Sequence, residues 1–325
     1  MYLKNLSISK LYKIGVLSAG SQSSISIIKS LANLKKKYNI QICAFDMSNY
    51  SAGLYLADTY EIIPRFNSKN YIRKLIYFIN KRKLNYLFPQ LDCEIKLILK
   101  NKKNIENKTN CKIIINNSFS IHKSLNKKKA NTLCINNKIH VPKIYDYNEV
   151  KKLNYDKLIY RKNESIGSRG IKIYLKKNIK NLTSEQIKKH FLDGFFQKFQ
   201  NGEEYSIDIV INKKKPAYII PRLRQKIVNG QITIGKVCLN KKLIKFSKKI
   251  IKLFKITNHA CLQCIYHNNK IYFIELNPRF GTGMTFSELA GAYLIEPLIF
   301  KYRKKLNYQV KEIKVSRYWS EVLIK

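Results

Sequence analysis

The chain has 325 residues, 45% of them hydrophobic, and a formal net charge of +43. This length and apolar content predict two or three globular lobes. No apolar run is long enough to cross a bilayer and no secretory segment follows Met1, so we expect a cytoplasmic protein with reduced thiols and no membrane partner.

The positive charge by itself would favour nucleic acid or another anionic surface as a partner. Lysines are spread through every segment, although clusters such as Lys35 to Lys37 and Lys213 to Lys215 occur, and no aromatic-rich nucleic-acid motif accompanies them. We therefore do not expect specific nucleic-acid binding. Non-specific binding to polyanions would weaken steeply with salt, and a small acidic ligand such as a nucleotide is favoured.

Strands and helices alternate in the first part of the chain. The spacing predicts strands at 13–20, 40–46, 59–64 and 85–90, and helices at 21–38 and 71–83. This order predicts a parallel sheet covered on both faces, with Gly20, Asp46 and Asp92 at the edge where ligands bind. We do not expect a dinucleotide cofactor, because the segment Gly15 to Gly20 lacks the third glycine and the required spacing.

A polar break near Ser118 to Ser124 predicts a change of domain, and a helix over 125–136 follows it with Lys127 near its start. The next predicted strand, 157–162, contains Arg161. It leads into a loop that is rich in glycine and serine.

That loop, Asn163 to Gly170, allows two interpretations. Gly167, Ser168 and Gly170 could point backbone N–H groups at a phosphate, with Arg169 adding charge. The simpler alternative is a hairpin turn between two strands.

The segment 195–208 predicts a strand, a tight turn at Asn201-Gly202, and a second strand. It is either an ordinary hairpin with one wet face or a place for a nucleotide base, with a ribose near Glu204. Arg222 and Arg224 follow on one face of an extended segment. They are candidates for binding a substrate carboxylate, with a structural ion pair as the alternative.

The stretch Ile271 to Gly281 is an apolar strand with a polar end. Glu275 and Asn277 share one face, because side chains in a strand repeat every two residues, and Arg279 lies just beyond. Oxygen-bearing groups beside a guanidinium suit a hard cation that holds phosphates, whereas the plainer interpretation is a strand end that meets solvent.

The preceding predicted strand, 259–266, would add Gln263 to this face if Gln263 lies opposite Glu275. In a regular ladder that register needs an odd connection such as Asn268 to Lys270. A two-residue Asn268-Asn269 turn would put Gln263 on the wrong side.

Taken together, these residues resemble the ATP-grasp superfamily, in the branch of the carbamoyl-phosphate synthase large chain, over nearly the whole sequence. The most specific part is Phe273 to Gly281, which is similar to the family's metal-binding strand. The resemblance implies a fold of class α/β plus α+β: a Rossmann-like domain over 1–120, an ATP-grasp small lobe over 121–195 and a large lobe over 196–325.

The resemblance also implies ATP and two Mg²⁺ ions as cofactors, with Mn²⁺ as an alternative. Glu275 would bridge both ions, Asn277 would hold one, and Gln263 would supply a ligand from the neighbouring strand. A glutamine at this last position and an arginine at position 161 are similar to the carbamoyl-phosphate branch.

The same resemblance implies that Lys127 and Arg161 contact the phosphates and that Arg279 steadies the transferring phosphate. The residues that would cover the phosphates or contact adenine and ribose are Gly167, Ser168, Arg169, Gly170, Gln197, Lys198, Phe199 and Glu204. Apart from the resemblance, the candidates for the substrate end are Arg222, Arg224, Gly20 and Asp92. Lys162 stands where the family usually has proline, Ser165 replaces a loop glycine and Lys198 replaces a common glutamate, so the base preference is left open.

The implied reaction is carbon–nitrogen ligation, in which a carboxylate attacks ATP and an amine attacks the resulting acyl phosphate. The expected partners are ATP, a small carboxylate and an amine, and a homodimer is left open. The alternatives are a nucleotide-binding module without ligase activity, a basic nucleic-acid-binding protein, and carbamate or carbamoyl chemistry.

Overall fold

A computed structural model describes residues 10–152, 156–164 and 170–324. The first domain is an alternation of strands and helices: β1 (Tyr12–Val16), α1 (Gln22–Leu34), β2 (Ile40–Asp46), α2 (Ala52–Tyr55), β3 (Thr59–Ile62), α3 (Tyr71–Arg82), β4 (Tyr86–Phe88), α4 (Asp92–Thr109), β5 (Lys112–Ile113) and α5 (Ser118–Ser124). Its five strands are parallel in the order β3-β2-β1-β4-β5, which confirms the predicted Rossmann-like sheet. The strand order reverses at β1 and β4, so the loops after these two strands border a crevice.

The small lobe follows. Its elements are α6 (Lys127–Asn136), β6 (Ile144–Tyr145), α7 (Tyr147–Lys152), β7 (Lys157–Lys162), β8 (Ile171–Leu175), α8 (Lys176–Lys180), α9 (Ser184–Asp193) and β9 (Gly194–Lys198). The strands form a four-stranded antiparallel sheet in the order β6-β9-β7-β8.

The large lobe completes the described chain. Its elements are β10 (Glu203–Asn212), β11 (Lys215–Val228), β12 (Gln231–Val237), α10 (Lys241–Leu253), β13 (His259–His267), β14 (Lys270–Asn277), α11 (Met284–Leu289), α12 (Glu296–Ile299) and β15 (Ile313–Ser316). The strands form a six-stranded antiparallel sheet in the order β14-β13-β10-β11-β12-β15. The mixed α/β fold agrees with the predicted class.

The predicted hairpin at Asn201-Gly202 is wrong. Strand β9 lies in the four-stranded sheet and β10 in the six-stranded sheet, so the two strands do not pair with each other. The residues between them are instead the connection between the two lobes. Residues of this connection, 199–202, border the space between the two sheets.

One hydrophobic core joins the first domain to the large lobe. Ile27 and Leu31 of α1 belong to the same buried cluster as Met284 and Phe286 of α11. The ring of Tyr38, which packs against this cluster, stacks on the ring of Phe300, a member of the cluster, at a centroid distance of 3.7 Å. Because burial of apolar surface stabilises this contact, the first domain is fixed against the large lobe. Among the described residues, none of the helices has the length and apolar character needed to span a membrane.

Candidate active site

A cavity of about 870 Å³ lies between the two antiparallel sheets and the first domain. A volume of this size suits a ligand as large as a nucleotide. The candidate residues that border it are Asp92, Lys127, Arg161, Gln197, Lys198, Phe199, Glu204, Arg222, Arg224, Gln263, Glu275, Asn277 and Arg279. Residues far apart in the sequence therefore converge on one space.

Gln263 lies directly opposite Glu275, but the predicted route to this register is wrong. The connection is the two-residue turn Asn268-Asn269, in which both residues have positive φ, 46° and 60°. A β-bulge at Ile274 supplies the extra residue that the turn does not, because Cys264 pairs with Phe273 while Gln263 pairs with Glu275.

The bulge also determines which side chains face the core. Phe273 and Leu276 are both buried in the hydrophobic core of the large lobe, although they are three residues apart. In a regular strand these two side chains would point to opposite faces. The bulge lets both pack inward while Glu275 and Asn277 face the cavity, and the amide of Asn277 donates to Glu275 Oε1 at 3.0 Å.

Arg161 connects the small lobe to strand β14 of the large lobe. Its Nη2 donates to Glu275 Oε2 at 2.8 Å and its Nη1 donates to the backbone oxygen of the bulge residue Ile274, also at 2.8 Å. Burial alone would raise the pKa of Glu275, but the positive charges of Arg161 and Lys127 outweigh it and lower the pKa below its ordinary value. Glu275 is therefore an ionised carboxylate at neutral pH.

Lys127 is the first residue of α6, whose N-terminus is capped by Asn126 through a 2.9 Å bond from the N–H of Lys129. The backbone N–H of Lys127 donates to the carbonyl oxygen of Asn163 at 2.9 Å, which ties α6 to the end of β7. Burial lowers the pKa of Lys127, while the charge of Glu275 opposes that shift. The ammonium group thus borders the cavity beside the carboxylate.

Arg279 is paired with the first domain. Its Nε donates to Asp92 Oδ1 at 2.7 Å, and its Nη2 lies 3.5 Å from Oδ2. Burial alone would lower the pKa of Arg279, but Asp92 raises it. Asp92 is the first residue of α4, the helix that follows β4. Its carboxylate therefore lies at the crevice where the strand order reverses, and the residue borders the cavity.

The donor set fits a hard cation that arrives together with phosphates. Gln263, Glu275 and Asn277 offer carboxylate and amide oxygens, which Mg²⁺ accepts. Within the described ranges, no three His, Cys, Asp or Glu side chains lie close enough together to hold a metal. With a single carboxylate beside Lys127 and Arg161, the negative charge of a bound phosphate chain would be needed to retain a divalent ion.

The predicted nucleotide-contacting residues lie along the connection between the lobes. Gln197 is buried, and its amide donates to Pro142 O at 3.3 Å. The backbone N–H of Lys198 donates to the oxygen of Lys143 at 2.8 Å. The ring of Phe199 borders the cavity, and Glu204 accepts a hydrogen bond from Arg224.

Arg222 and Arg224 are both in ion pairs. Arg222 donates to both oxygens of the fully buried Asp208, at 2.8 and 2.9 Å, and Ser287 Oγ donates to the same carboxylate at 2.6 Å. Sequence reasoning missed Asp208 and Ser287 as partners. A signal existed, because Asp208 alternates with Glu204 on the strand that pairs with the arginine strand.

Two remaining predictions have different outcomes. Gly167, Ser168 and Arg169 of the predicted phosphate-covering loop lie outside the described residues, whereas Gly170 is described and buried. Gly20 is not among the residues that border the cavity, and its N–H donates to Asp46 Oδ2 at 2.8 Å.

Two protein-family models match the sequence. The model described as "ATP-grasp in the biosynthetic pathway with Ter operon" matches residues 191–319. The model described as "PylC-like, N-terminal domain" matches residues 14–114. No curated protein matches the sequence.

Solved structures share the fold over most of the chain. Biotin carboxylase from Campylobacter jejuni in its beta-gamma-ATP complex is 16% identical, with a TM-score of 0.69 over 92% of this chain and 73% of that chain. N5-carboxyaminoimidazole synthetase from Staphylococcus aureus complexed with ADP is 13% identical, with a TM-score of 0.69 over 91% and 79%. The biotin carboxylase domain of the Hydrogenobacter thermophilus 2-oxoglutarate carboxylase, in complex with MgADP, ADP and bicarbonate, is 12% identical, with a TM-score of 0.65 over 92% and 72%.

At these identities the structural likeness establishes the fold alone, and the family models identify its two parts. The PylC-like model matches the parallel-sheet domain, and the ATP-grasp model matches the end of the small lobe and most of the large lobe. Over these residues the chain therefore matches a PylC-like N-terminal domain and an ATP-grasp domain.

Proposed function

We propose that the protein is an ATP-dependent carboxylate–amine ligase that forms an acyl phosphate and releases ADP and phosphate. The observation that carries this proposal is the convergence of Lys127, Arg161 and Arg279 on a cavity whose floor holds Glu275 opposite Gln263. Fixed cations beside an ionised carboxylate suit the phosphates and metal of ATP.

The proposed roles follow from the position of each group. Lys127 and Arg161 bind the phosphates of ATP, and Arg279 stabilises the charge that develops on the transferring phosphate. Glu275, Asn277 and Gln263 would hold Mg²⁺, or Mn²⁺ in its place, which would reduce the repulsion between ATP and an attacking carboxylate. Two ions are expected, and Glu275 would contribute to holding both.

Asp92 has a positioning role in this proposal. Its carboxylate holds two nitrogens of Arg279, so the guanidinium is fixed before the substrates bind. Fixed charge that needs no reorganisation during the reaction is the most effective form of electrostatic catalysis. Asp92 thus acts through Arg279 and not by direct contact with a substrate.

The nucleotide base and ribose are assigned to the connection between the lobes. Gln197, Lys198 and Phe199, which border the cavity, are the candidates for contact with the base, and Glu204 is the candidate for the ribose hydroxyls. The loop at Gly167 to Arg169 and Gly170 remains the proposed cover for the phosphates, and it would exclude water from the acyl phosphate.

The test is ADP release from ATP and magnesium across pairs of amino acids and small carboxylates. The proposal predicts that at least one pair triggers ADP release and that Glu275→Gln abolishes it. ATP binding without ADP release from any pair would instead support a nucleotide-binding module without ligase activity.

A further inference from the structure

Three buried arginines that border the cavity each have one nitrogen without a hydrogen-bond partner in the described part of the chain. These nitrogens are Nε of Arg161, Nη1 of Arg222 and Nε of Arg224. Buried polar groups in proteins almost always have a partner, so an unpartnered donor beside a cavity indicates where a ligand acceptor belongs. Arg161 is assigned to the phosphates, whereas the other two lie together on β11 and define what we call the β11 end of the cavity, which adjoins Glu204.

The two arginines of that end lie on one face of β11, two residues apart. Each is held by a carboxylate of the neighbouring strand β10: Arg222 by Asp208, and Arg224 by Glu204. The side chains of Arg222 and Arg224 are only 1% and 6% exposed. Neither guanidinium can therefore satisfy its remaining nitrogen with bulk water, and neither can rotate without breaking an ion pair.

The backbone next to Arg222 leaves room for its guanidinium. A Cβ at Gly283 would lie 2.1 Å from Nη1 of Arg222, so glycine is required for the arginine to keep its position. Ile227 and Ile232 border the same end of the cavity and give it an apolar wall.

We propose that this end of the cavity binds a carboxylate that the reaction does not consume, carried by the amine substrate. The amine substrate is then an amino acid or another amine with a free carboxylate. The inference rests on the proposed ligase function, and it assigns to Arg222 and Arg224 the recognition of that substrate.

The local charge balance favours a single carboxylate over a phosphate group. Asp208 and Glu204 already cancel the charges of Arg222 and Arg224, so a dianionic phosphate would enter without compensating charge. A carboxylate has two acceptor oxygens, and guanidinium donors hold it with charge-assisted hydrogen bonds.

The experiment is calorimetric titration of the full chain with each protein amino acid, its α-carboxamide, the matching amine without the carboxylate, and phosphoethanolamine. Each titration is run with and without magnesium and a non-hydrolysable ATP analogue. We expect at least one amino acid to bind about 10- to 100-fold more tightly than its amide and amine, as hydrogen bonds to charged groups usually require.

The variants isolate the two arginines. Arg224→Gln leaves Glu204, which is 32% exposed, in contact with water, and the double variant Asp208→Asn/Arg222→Gln avoids a buried unpaired charge. Both should remove most of the preference for the amino acid over its amide. Lys226→Gln, an exposed neighbour on the same strand, is the matched control and should leave the preference unchanged.

Three results would overturn the inference: no amino acid binds, the amide or phosphoethanolamine binds as tightly as the amino acid, or the variants keep the full preference. Binding of the ATP analogue is measured in the same titrations. If the analogue binds and the carboxylate preference is absent, only this inference fails, whereas loss of analogue binding contradicts the proposed function.

Discussion

At the scale of single residues, the main feature of the cavity is a set of four arginine–carboxylate pairs whose arginines border it. The pairs are Arg161 with Glu275, Arg279 with Asp92, Arg222 with Asp208, and Arg224 with Glu204. In each pair the carboxylate fixes the direction of a guanidinium that borders the cavity. Asp92 and Asp208 have no proposed contact with a substrate or metal, so the geometry of the proposed reaction also depends on residues that act only through an arginine.

Replacing Arg279 by alanine should lower turnover by about 10² to 10³-fold, because it removes one preorganised donor to the transferring phosphate. Asp92→Asn should lower kcat by a smaller factor and leave KM for ATP nearly unchanged, because Arg279 keeps its charge but loses its fixed direction. Steady-state ADP release measures both. Near-normal turnover of the Arg279→Ala variant would contradict the assigned role.

The arginines were predictable from the sequence and most of their partners were not. Arg279 stands two residues beyond Asn277, the last residue of a recognisable strand, so local spacing identified it. Its partner Asp92 lies 187 positions earlier in the chain, and only the sheet topology brings it near. A single sequence gives no distance information at that separation.

The β-bulge at Ile274 is the feature of an element that most affects the candidate site. Local pattern predicted both strands, but it made the opposition of Gln263 to Glu275 conditional on an odd connection, and the opposition occurs with a two-residue turn. The misleading assumption was a regular ladder. The apolar residues Phe273 and Leu276 at an odd spacing are the signal that a bulge was needed, because both are buried.

Tight turns in the large lobe offer a test of stability. The turn between β10 and β11 consists of Lys213 and Lys214, with φ of 45° and 67°. Side chains with a Cβ are strained in this left-handed region, and two-residue hairpin turns prefer Asn-Gly. Lys213→Asn/Lys214→Gly should therefore raise the free energy of unfolding by about 1 kcal/mol.

Urea unfolding monitored by circular dichroism would measure that change. Lys248→Gln, which removes an exposed positive charge from α10 without altering a turn, is the control. An increase of the same size in the control would show that relief of charge repulsion, and not turn geometry, is responsible.

Helix α4 shows where prediction of elements fails. It is one of the longest helices of the described chain, with 18 residues, yet the sequence pattern did not reveal it. Its buried positions include Ile95, Ile98 and Ile105, and the run of lysine and asparagine over 100–104 leaves a gap in the apolar stripe between the last two. The sheet that α4 packs against decided its structure.

At the scale of the whole molecule, the formal net charge of +43 determines how the protein interacts with polyanions. The arginines of the cavity are individually paired with carboxylates, so much of the excess positive charge lies elsewhere. We expect non-specific binding to duplex DNA to fall by about 10³-fold between 50 and 200 mM salt, as release of condensed counterions dictates. Fluorescence anisotropy with two unrelated DNA sequences measures this, and a sequence preference that persists at high salt would favour a nucleic-acid-binding function.

The contact between the first domain and the large lobe contains a buried carboxyl group. Ser30 of α1 donates to Glu288 Oε1 at 2.8 Å, and the N–H of Leu294 donates to the same oxygen at 2.9 Å. Burial raises the pKa of Glu288 to about 7 from an ordinary 4.5. Between these two values the folded protein holds a proton that the unfolded chain releases, so this carboxyl group lowers stability as pH rises.

Glu288→Gln should therefore increase the free energy of unfolding at pH 8 by on the order of 2 kcal/mol and have little effect near pH 4.5. Urea unfolding at the two pH values tests this, with the exposed Glu321→Gln as control. An equal effect of Glu288→Gln at both pH values would contradict the assigned protonation.

The parallel-sheet domain was predictable because strand and helix patterns alternate along the chain, whereas the two-lobed remainder was implied by the resemblance to the ATP-grasp superfamily. The packing of α1 on α11 was not predictable, since it joins residues about 250 positions apart through nondirectional apolar contact. The described cavity depends on that packing, because Asp92 reaches Arg279 only when the first domain sits against the large lobe.

The central claim is that a carboxylate oxygen attacks the terminal phosphorus of ATP. The most direct measurement uses a substrate carboxylate labelled with ¹⁸O and mass spectrometry of the phosphate that is released. The claim predicts that one ¹⁸O atom from the carboxylate appears in each phosphate, because the amine displaces phosphate from the acyl phosphate. Unlabelled phosphate accompanied by an amide product would contradict it.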